Sequence, residues 1–395
     1  MKKTNNLTIV LIAAAACLIY GLNGGVRTNY GILLSGIQAE KGFEYSSLSF
    51  IAAVANLVFG LTQPLFGILA LKKSNAFALT VGAVLSAAGM LLIPLSTSIP
   101  MLMLCWGILM PAGFGALSFG VVMGAVTPVL GEKKAAFVSG LVSASGGLLG
   151  VVLSPLMSAM LRTSGLWGCI LVIAVPTAIL IPISLWLSRT QTALTDQTEK
   201  EQISVKAAIS EAFADRSYRL LLFAFFTCGF HMAIIETHLY SQMTTSGLSD
   251  ATAAYMLSIY GVAAMLGSIL SGAAGSKIRN KWVGGTAFSS RLFIIAIFLI
   301  LPKTAPVFAF FAFMLGLTGN ATVPPVSGMT NKLFGPVKLA TLFGILFVAH
   351  QIGSFLSAWL GGICLTATGS YTPIWVASAI LAILAGLACF RVEEP

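Results

Sequence analysis

The chain has 395 residues, of which 57% are hydrophobic and only 9% are charged. A soluble domain carries roughly 25% charged residues, so this composition excludes an ordinary soluble enzyme and indicates a polytopic protein of the lipid bilayer. The net charge of +10 does not indicate nucleic-acid binding, because the basic residues are spread over short loops and form no clustered face.

The apolar stretches are long enough to cross a membrane repeatedly, since about 20 apolar residues span the hydrocarbon core. Their hydrophobic pattern predicts twelve transmembrane helices near residues 8–36, 46–70, 76–96, 100–130, 135–161, 166–188, 218–242, 250–276, 283–301, 305–329, 337–365 and 370–390. Most Lys and Arg residues fall in the loops of one side, which by the positive-inside rule places both termini in the cytoplasm. We expect a multi-pass protein of a bacterial cytoplasmic membrane.

The longest polar segment divides the chain into two halves. It predicts an N-terminal six-helix bundle at 1–188, a cytoplasmic linker at 189–217 and a C-terminal six-helix bundle at 218–395. Two pairs of segments also repeat at nearly the same offset, GILALKKSN with GAAGSKIRNK and FVSGLVSASGG with TLFGILFVAHQ. Many secondary transporters consist of two such related bundles with the substrate site at the repeat interface.

The twelve predicted helices, the division into six and six and the basic loops after the second and eighth helices resemble the Major Facilitator Superfamily. This resemblance implies an all-α membrane fold of two pseudo-symmetric six-helix bundles. The family's loop pattern G-x-x-x-D-[RK]-x-G has Leu71 in place of Asp in the first copy and Ser276 in the second, whereas Lys72 and Lys277 are retained. The loop interactions that depend on the Asp are therefore in question.

A single arginine, Arg27, lies in the first predicted helix, where Leu7 to Ile37 contains no other charge. Charges at membrane depth are costly and usually face a cavity. At about 100° per residue, the helix places four polar side chains on one stripe, which we assign as substrate-binding candidates: Tyr20, Asn23, Arg27 and Tyr30. The alternative for Arg27 is a structural arginine bonded to carbonyl groups.

Further polar candidates lie in the second half. Arg291 is assigned either to substrate contact or to structural pairing or snorkelling. Glu236 is assigned to proton exchange, to pairing with an arginine, or to exposure to the outer vestibule. His231 is a second candidate for proton coupling. His350 and Gln351 are substrate-binding candidates, and His350 can also relay protons or simply pack in the core.

Three stretches carry a narrower resemblance: GGVRTNYGILLSGI, GFHMAIIETHLY and LFGPVKLATLFGILFVAHQIGSFLSAWLGG. They are similar to bacterial members of the monocarboxylate transporter group, which includes the oxalate/formate antiporter branch. The resemblance implies that Arg27 takes the position of a helix-1 lysine on the carboxylate route. That family's helix-8 Asp-x-x-x-Arg pair is replaced here by Ala264 and Ser268, which leaves the substrate and its coupling open.

The expected function is a secondary active transporter that moves a small organic anion by alternating access, with proton coupling as an option. Two membrane arginines against one membrane acid favour an anionic substrate. The alternative is a proton-driven efflux antiporter for drugs or metabolites, with Glu236 as the proton site. No H-E-x-x-H, G-x-S-x-G or C-x-x-C pattern is present, so we expect no catalytic residues, metal ligands or cofactors. A monomer is expected.

Overall fold

A computed structural model describes residues 6–130, 132–192 and 205–394, and every regular element among these residues is a helix. The central part of the predicted linker, 193–204, lies outside them. Two compact units are present, one formed by Met1–Phe43 and Val54–Lys200 and the other by Glu44–Ala53 and Glu201–Pro395.

The first unit is built from eight α-helices, the third of which begins in the second unit. They are α1 (Asn6–Thr28), α2 (Tyr30–Lys41), α3 (Tyr45–Lys72), α4 (Asn75–Leu92), α5 (Ile99–Leu102), α6 (Met110–Ala116), α7 (Phe119–Leu130) and α8 (Glu132–Thr192). A π-helical segment, Met103–Leu109, joins α5 to α6.

The second unit contains the other eight α-helices. They are α9 (Val205–Ala214), α10 (Arg216–Ile234), α11 (Tyr240–Thr245), α12 (Asp250–Gly275), α13 (Asn280–Ile300), α14 (Ala305–Gly319), α15 (Val323–Thr368) and α16 (Thr372–Phe390). A π-helical segment, Ile235–Leu239, joins α10 to α11, and a 3₁₀ turn, Asn320–Thr322, joins α14 to α15.

Eleven helical stretches of the described residues are long and apolar enough to cross a membrane. One of them, Gly140–Leu187, has 48 residues and covers the fifth and sixth predicted helices. It is interrupted at Gly165, whose φ of 63° lies in the left-handed region that a residue without a side chain adopts most readily. Gly335 interrupts α15 in the same way, with a φ of 78°. The first predicted helix, near 8–36, is interrupted at Asn29.

Small residues let α1 approach α8 closely in the first unit. A Cβ atom on Gly24 would lie 2.8 Å from Gly146 Cα, and one on Gly25 would lie 2.9 Å from the Leu149 carbonyl carbon. Beside this contact, Asn29 accepts a 2.6 Å hydrogen bond from the Ser154 hydroxyl. The two glycines therefore allow the close backbone contact that favours packing between membrane helices.

The side chain of Glu394 caps the N-terminus of α13 in the second unit. The buried Glu394 carboxylate accepts hydrogen bonds from the Asn280 and Lys281 amides at 3.0 and 2.9 Å, from the Asn280 side chain at 3.1 Å and from Lys332 Nζ at 2.7 Å. Burial opposes ionisation of this carboxyl group, but the hydrogen bonds outweigh burial and hold its pKa below the ordinary value. A carboxylate at this position also interacts favourably with the helix dipole.

We expect Glu394→Gln to lower the free energy of unfolding by about 1–3 kcal/mol at neutral pH, because a buried charge-assisted network loses its anion. A lowered pKa in the folded state gives stability that is present above the unfolded value and lost as the pH falls through the folded one. The difference between variant and wild type should therefore shrink below about pH 4. Thermal unfolding of purified protein measures it, with the exposed Glu393→Gln as the matched control. Equal stability of the two variants at neutral pH would contradict this assignment.

Candidate functional site

Arg27 lies in the first unit against α3. Its Nη2 donates a 3.3 Å hydrogen bond to Asn56 Oδ1, and its Cζ lies 3.8 Å from the centre of the Phe59 ring. Stacking on an aromatic face stabilises a guanidinium group while leaving its edge free for a planar, bidentate acceptor. Within the described part of the chain, the buried Arg27 Nε and Asn56 Nδ2 have no hydrogen-bond partner.

No acidic residue lies in the candidate spans of the unit that contains Arg27. The five candidate spans between Leu7 and Leu187 contain neither Asp nor Glu. An intramembrane cation is normally compensated by an anion or by polar groups, and here Asn56 supplies only a neutral oxygen. This arrangement suits a negatively charged ligand whose oxygens would bind the unoccupied N–H groups.

The other members of the predicted stripe have contacts of their own. Asn23 Nδ2 donates to the Phe114 and Leu117 carbonyls, both at 3.1 Å, near the end of α6, while its Oδ1 is buried without a partner among the described residues. Tyr20 packs edge-on against the Phe119 ring, and Tyr30 packs edge-on against the Trp106 ring. Their substrate contact therefore stays a prediction, whereas Asn56 and Phe59 join Arg27 without having been predicted.

The second membrane arginine, Arg291, is fully buried in the second unit. Its Nη2 donates to the Thr318 carbonyl at 2.6 Å and to the Gly319 carbonyl at 3.0 Å, where α14 ends. A cation is favourable at this end of a helix because the last carbonyl groups carry partial negative charge. These contacts support the structural alternative, but Arg291 Nε and Nη1 have no partner among the described residues, so a ligand contact stays a prediction.

Two histidines seven positions apart in the predicted seventh helix lie against α16 or the residue before it. His231 Nδ1 is 2.9 Å from Ser378 Oγ, and the ring of His238 lies 5.8 Å from that of Tyr371. Glu236 lies between them, on the π-helical segment that also contains His238, and interacts electrostatically with Tyr260 of α12. Proton coupling by Glu236 or His231 stays a prediction.

His350 and Gln351 are neighbours on α15 with different surroundings. The ring of His350 packs between those of Phe225 and Phe347, each 5.3 Å away. Gln351 is fully buried, and neither atom of its amide group has a partner in the part of the chain that the structure describes. An unsatisfied buried amide is costly, so Gln351 has the free donor and acceptor that a polar ligand requires.

A family model described as Major Facilitator Superfamily matches residues 16–289 and 239–395. The chain belongs to this superfamily. It is therefore a membrane transporter and not an enzyme. Transporters of known structure have the same fold. A bacterial homologue of the human lysosomal transporter Spinster aligns over 98% of this chain and 98% of its own with a TM-score of 0.77 at 16% identity. A nucleoside transporter, NupG, gives a TM-score of 0.79 at 14% identity over 98% of this chain and 100% of its own.

Among curated relatives, an uncharacterised MFS-type transporter, YcxA, of Bacillus subtilis (strain 168) is 23% identical over 83% of this chain and 81% of the relative. Monocarboxylate transporter 13 of Rattus norvegicus is also 23% identical, over 92% of this chain and 83% of the relative. Monocarboxylate transporter 12 of Homo sapiens is 21% identical over 93% of this chain and 77% of the relative. The resemblance to monocarboxylate transporters thus extends over most of the chain.

Proposed function

We propose that this superfamily member moves a small organic anion with a carboxylate group across the membrane by alternating access, and that Arg27 binds the carboxylate. The observation that carries the proposal is the position of Arg27. It stacks on Phe59 and donates to Asn56, in a unit whose five candidate spans contain no acid. The names of the monocarboxylate transporters among the relatives support the same substrate class.

The proposed topology has twelve spans in a bacterial cytoplasmic membrane, with both termini in the cytoplasm. The 48-residue stretch Gly140–Leu187 is treated as two spans because it exceeds twice the length of about 20 residues that one crossing requires and is interrupted at Gly165. The excess of Lys and Arg in one set of loops supports the orientation.

Transport by the purified protein in liposomes tests the proposed function. Labelled mono- and dicarboxylates are offered under an inward proton gradient and, separately, against an internal load of unlabelled carboxylate. We expect uptake of at least one carboxylate above that of protein-free liposomes, and none of its uncharged amide analogue. The gradient that drives uptake distinguishes proton coupling from anion exchange.

Movement of no carboxylate under either gradient would contradict the proposal. Proton-driven movement of lipophilic cations, with carboxylates inert, would instead establish the efflux alternative.

A further inference from the structure

Three buried aromatic side chains join in one hydrogen-bonded chain in the second unit. Tyr45, the first residue of α3, has its hydroxyl oxygen 2.8 Å from His238 Nδ1 and 3.0 Å from the hydroxyl of Tyr371. His238 Nε2 lies 2.9 Å from the Ala358 carbonyl oxygen on α15. The exposed fractions of Tyr45, His238 and Tyr371 are 7%, 0% and 4%, so the chain is shielded from water.

The chemistry of the acceptors fixes the direction of each hydrogen bond. A carbonyl oxygen only accepts, so His238 Nε2 carries a hydrogen and donates it to Ala358. In the neutral imidazole Nδ1 then accepts, and the Tyr45 hydroxyl donates to it. Tyr371 in turn donates to the Tyr45 oxygen. A neutral His238 completes the chain in these directions; a protonated imidazole would donate from both nitrogens, so the bond from Tyr45 would have to reverse.

The same region holds the first turns of α3 against α15. A side-chain carbon on Gly361 would collide with the His238 ring, and one on Gly362 would collide with Ser49. Phe50 packs edge-on against Trp359 at a ring separation of 5.5 Å. Residues 44–53 belong to the second unit for this reason, whereas the rest of α3 belongs to the first.

A proton on His238 would meet no opposite charge in this cluster. Among the described residues, the groups that face the imidazole are the Tyr45 hydroxyl from α3, the backbone of Ser357 and Ala358 from α15 and the ring of Tyr371, which precedes α16. From α11, which follows His238 in sequence, the Ser241 hydroxyl forms hydrogen bonds with Tyr45 and Tyr371.

The acids closest in sequence to His238 and Tyr45 interact with other residues. Glu236, on the same π-helical segment, interacts with Tyr260, and the exposed Glu44 accepts from Ser46. A buried charge without a counter-ion is strongly unfavourable.

We propose that His238 is a proton-binding site and that its protonation releases residues 45–53 from α15 and α16. A proton binds more tightly to the conformation in which the imidazole is hydrated, so acid shifts the population towards that conformation. The described arrangement is stable with a neutral imidazole and is lost as the pH falls. This inference deepens the proposed function by naming a site for a coupling proton; it rests on that function for its use in transport, while its test requires no substrate.

Hydrogen–deuterium exchange of the purified full-length protein in nanodiscs, without substrate, tests the inference. After correction for the intrinsic pH dependence of exchange, we expect the protection of segment 45–53 to fall about tenfold between about pH 8 and about pH 5.5. His238→Gln supplies an amide donor to Ala358 and an oxygen acceptor to Tyr45 but cannot bind a proton in this range. Segment 45–53 of this variant should remain protected at both pH values.

His231→Gln is the matched control, because His231 is also fully buried on the same helical stretch but bonds Ser378. It should retain the wild-type loss of protection. If His238→Gln does not fold, Tyr371→Phe serves instead: it removes the donor to Tyr45, so segment 45–53 should exchange faster at both pH values and still lose protection in acid. The inference is overturned if wild-type protection is independent of pH, or if His238→Gln retains the loss or His231→Gln abolishes it. Any of these results leaves carboxylate transport untouched, since no substrate is present.

Discussion

Replacing Arg27 with Gln is expected to reduce carboxylate uptake into liposomes at least about 30-fold, because truncating one partner of a buried charge pair costs about 2–5 kcal/mol. Gln is polar and retains most of the volume of Arg, but it supplies neither the positive charge nor the planar set of N–H donors of a guanidinium group. The initial rate of uptake at a subsaturating substrate concentration measures the effect. The variant should fold, since within the described part of the chain the guanidinium group makes a single hydrogen bond, to Asn56.

Two further variants separate the role of the guanidinium group from that of charge alone. Arg27→Lys keeps the charge but loses bidentate geometry and the stacking on Phe59, so its uptake should lie between those of wild type and Arg27→Gln. Arg162→Gln removes an exposed charge from the same unit and should transport normally. Unchanged uptake by Arg27→Gln would refute the role assigned to Arg27.

Replacing Gly229 with Ala is expected to destabilise the second unit by about 3 kcal/mol, because overpacking forces the surrounding structure apart. A Cβ atom at this position would collide with the carbonyl oxygen of His350 on α15, and one at Gly353 would collide with the carbonyl oxygen of Phe226 on α10. Both obstacles are backbone atoms, which cannot rotate away, so the two helices would have to separate. Thermal unfolding of the purified protein measures the loss.

Gly344→Ala is the matched control for this effect. Gly344 also lies on α15, but no atom lies within 4 Å of a Cβ built there. Ala in place of Gly within a helix gains about 1 kcal/mol where space allows, so this variant should be as stable as the wild type or slightly more stable. Equal destabilisation by both substitutions would contradict the close approach of α10 and α15.

The helical fold and the approximate spans could be predicted from sequence because the bilayer requires long apolar runs with internally bonded backbones. The interruptions within those runs could not. Asn29 ends α1 inside a run that predicts one continuous helix, and residues 235–239 form a π-helical segment in a run with ordinary helical hydropathy. Such departures depend on packing against other helices, which hydropathy along one helix does not encode.

The candidate site was predictable only in part. Arg27 stands out because a lone charge in an apolar stretch is visible without any knowledge of the fold. Asn56 was a weaker signal, as the one amide in the stretch AAVANLVFG, and Phe59 gave none. The partners of His238 were beyond prediction, because the hydrogen bond between Tyr45 and Tyr371 joins residues 326 positions apart.

Ligand-induced stabilisation of the purified protein tests the carboxylate-binding role of Arg27 most directly. Wild type and Arg27→Gln are unfolded thermally in the presence of a panel of mono- and dicarboxylates, their uncharged amide analogues and lipophilic cations. A ligand present at 100 times its dissociation constant stabilises the folded state by about 2.7 kcal/mol. We predict that at least one carboxylate raises the melting temperature of the wild type and not that of Arg27→Gln, while its amide raises neither. Equal stabilisation of both proteins by that carboxylate, or stabilisation of the wild type by cations alone, would contradict the account.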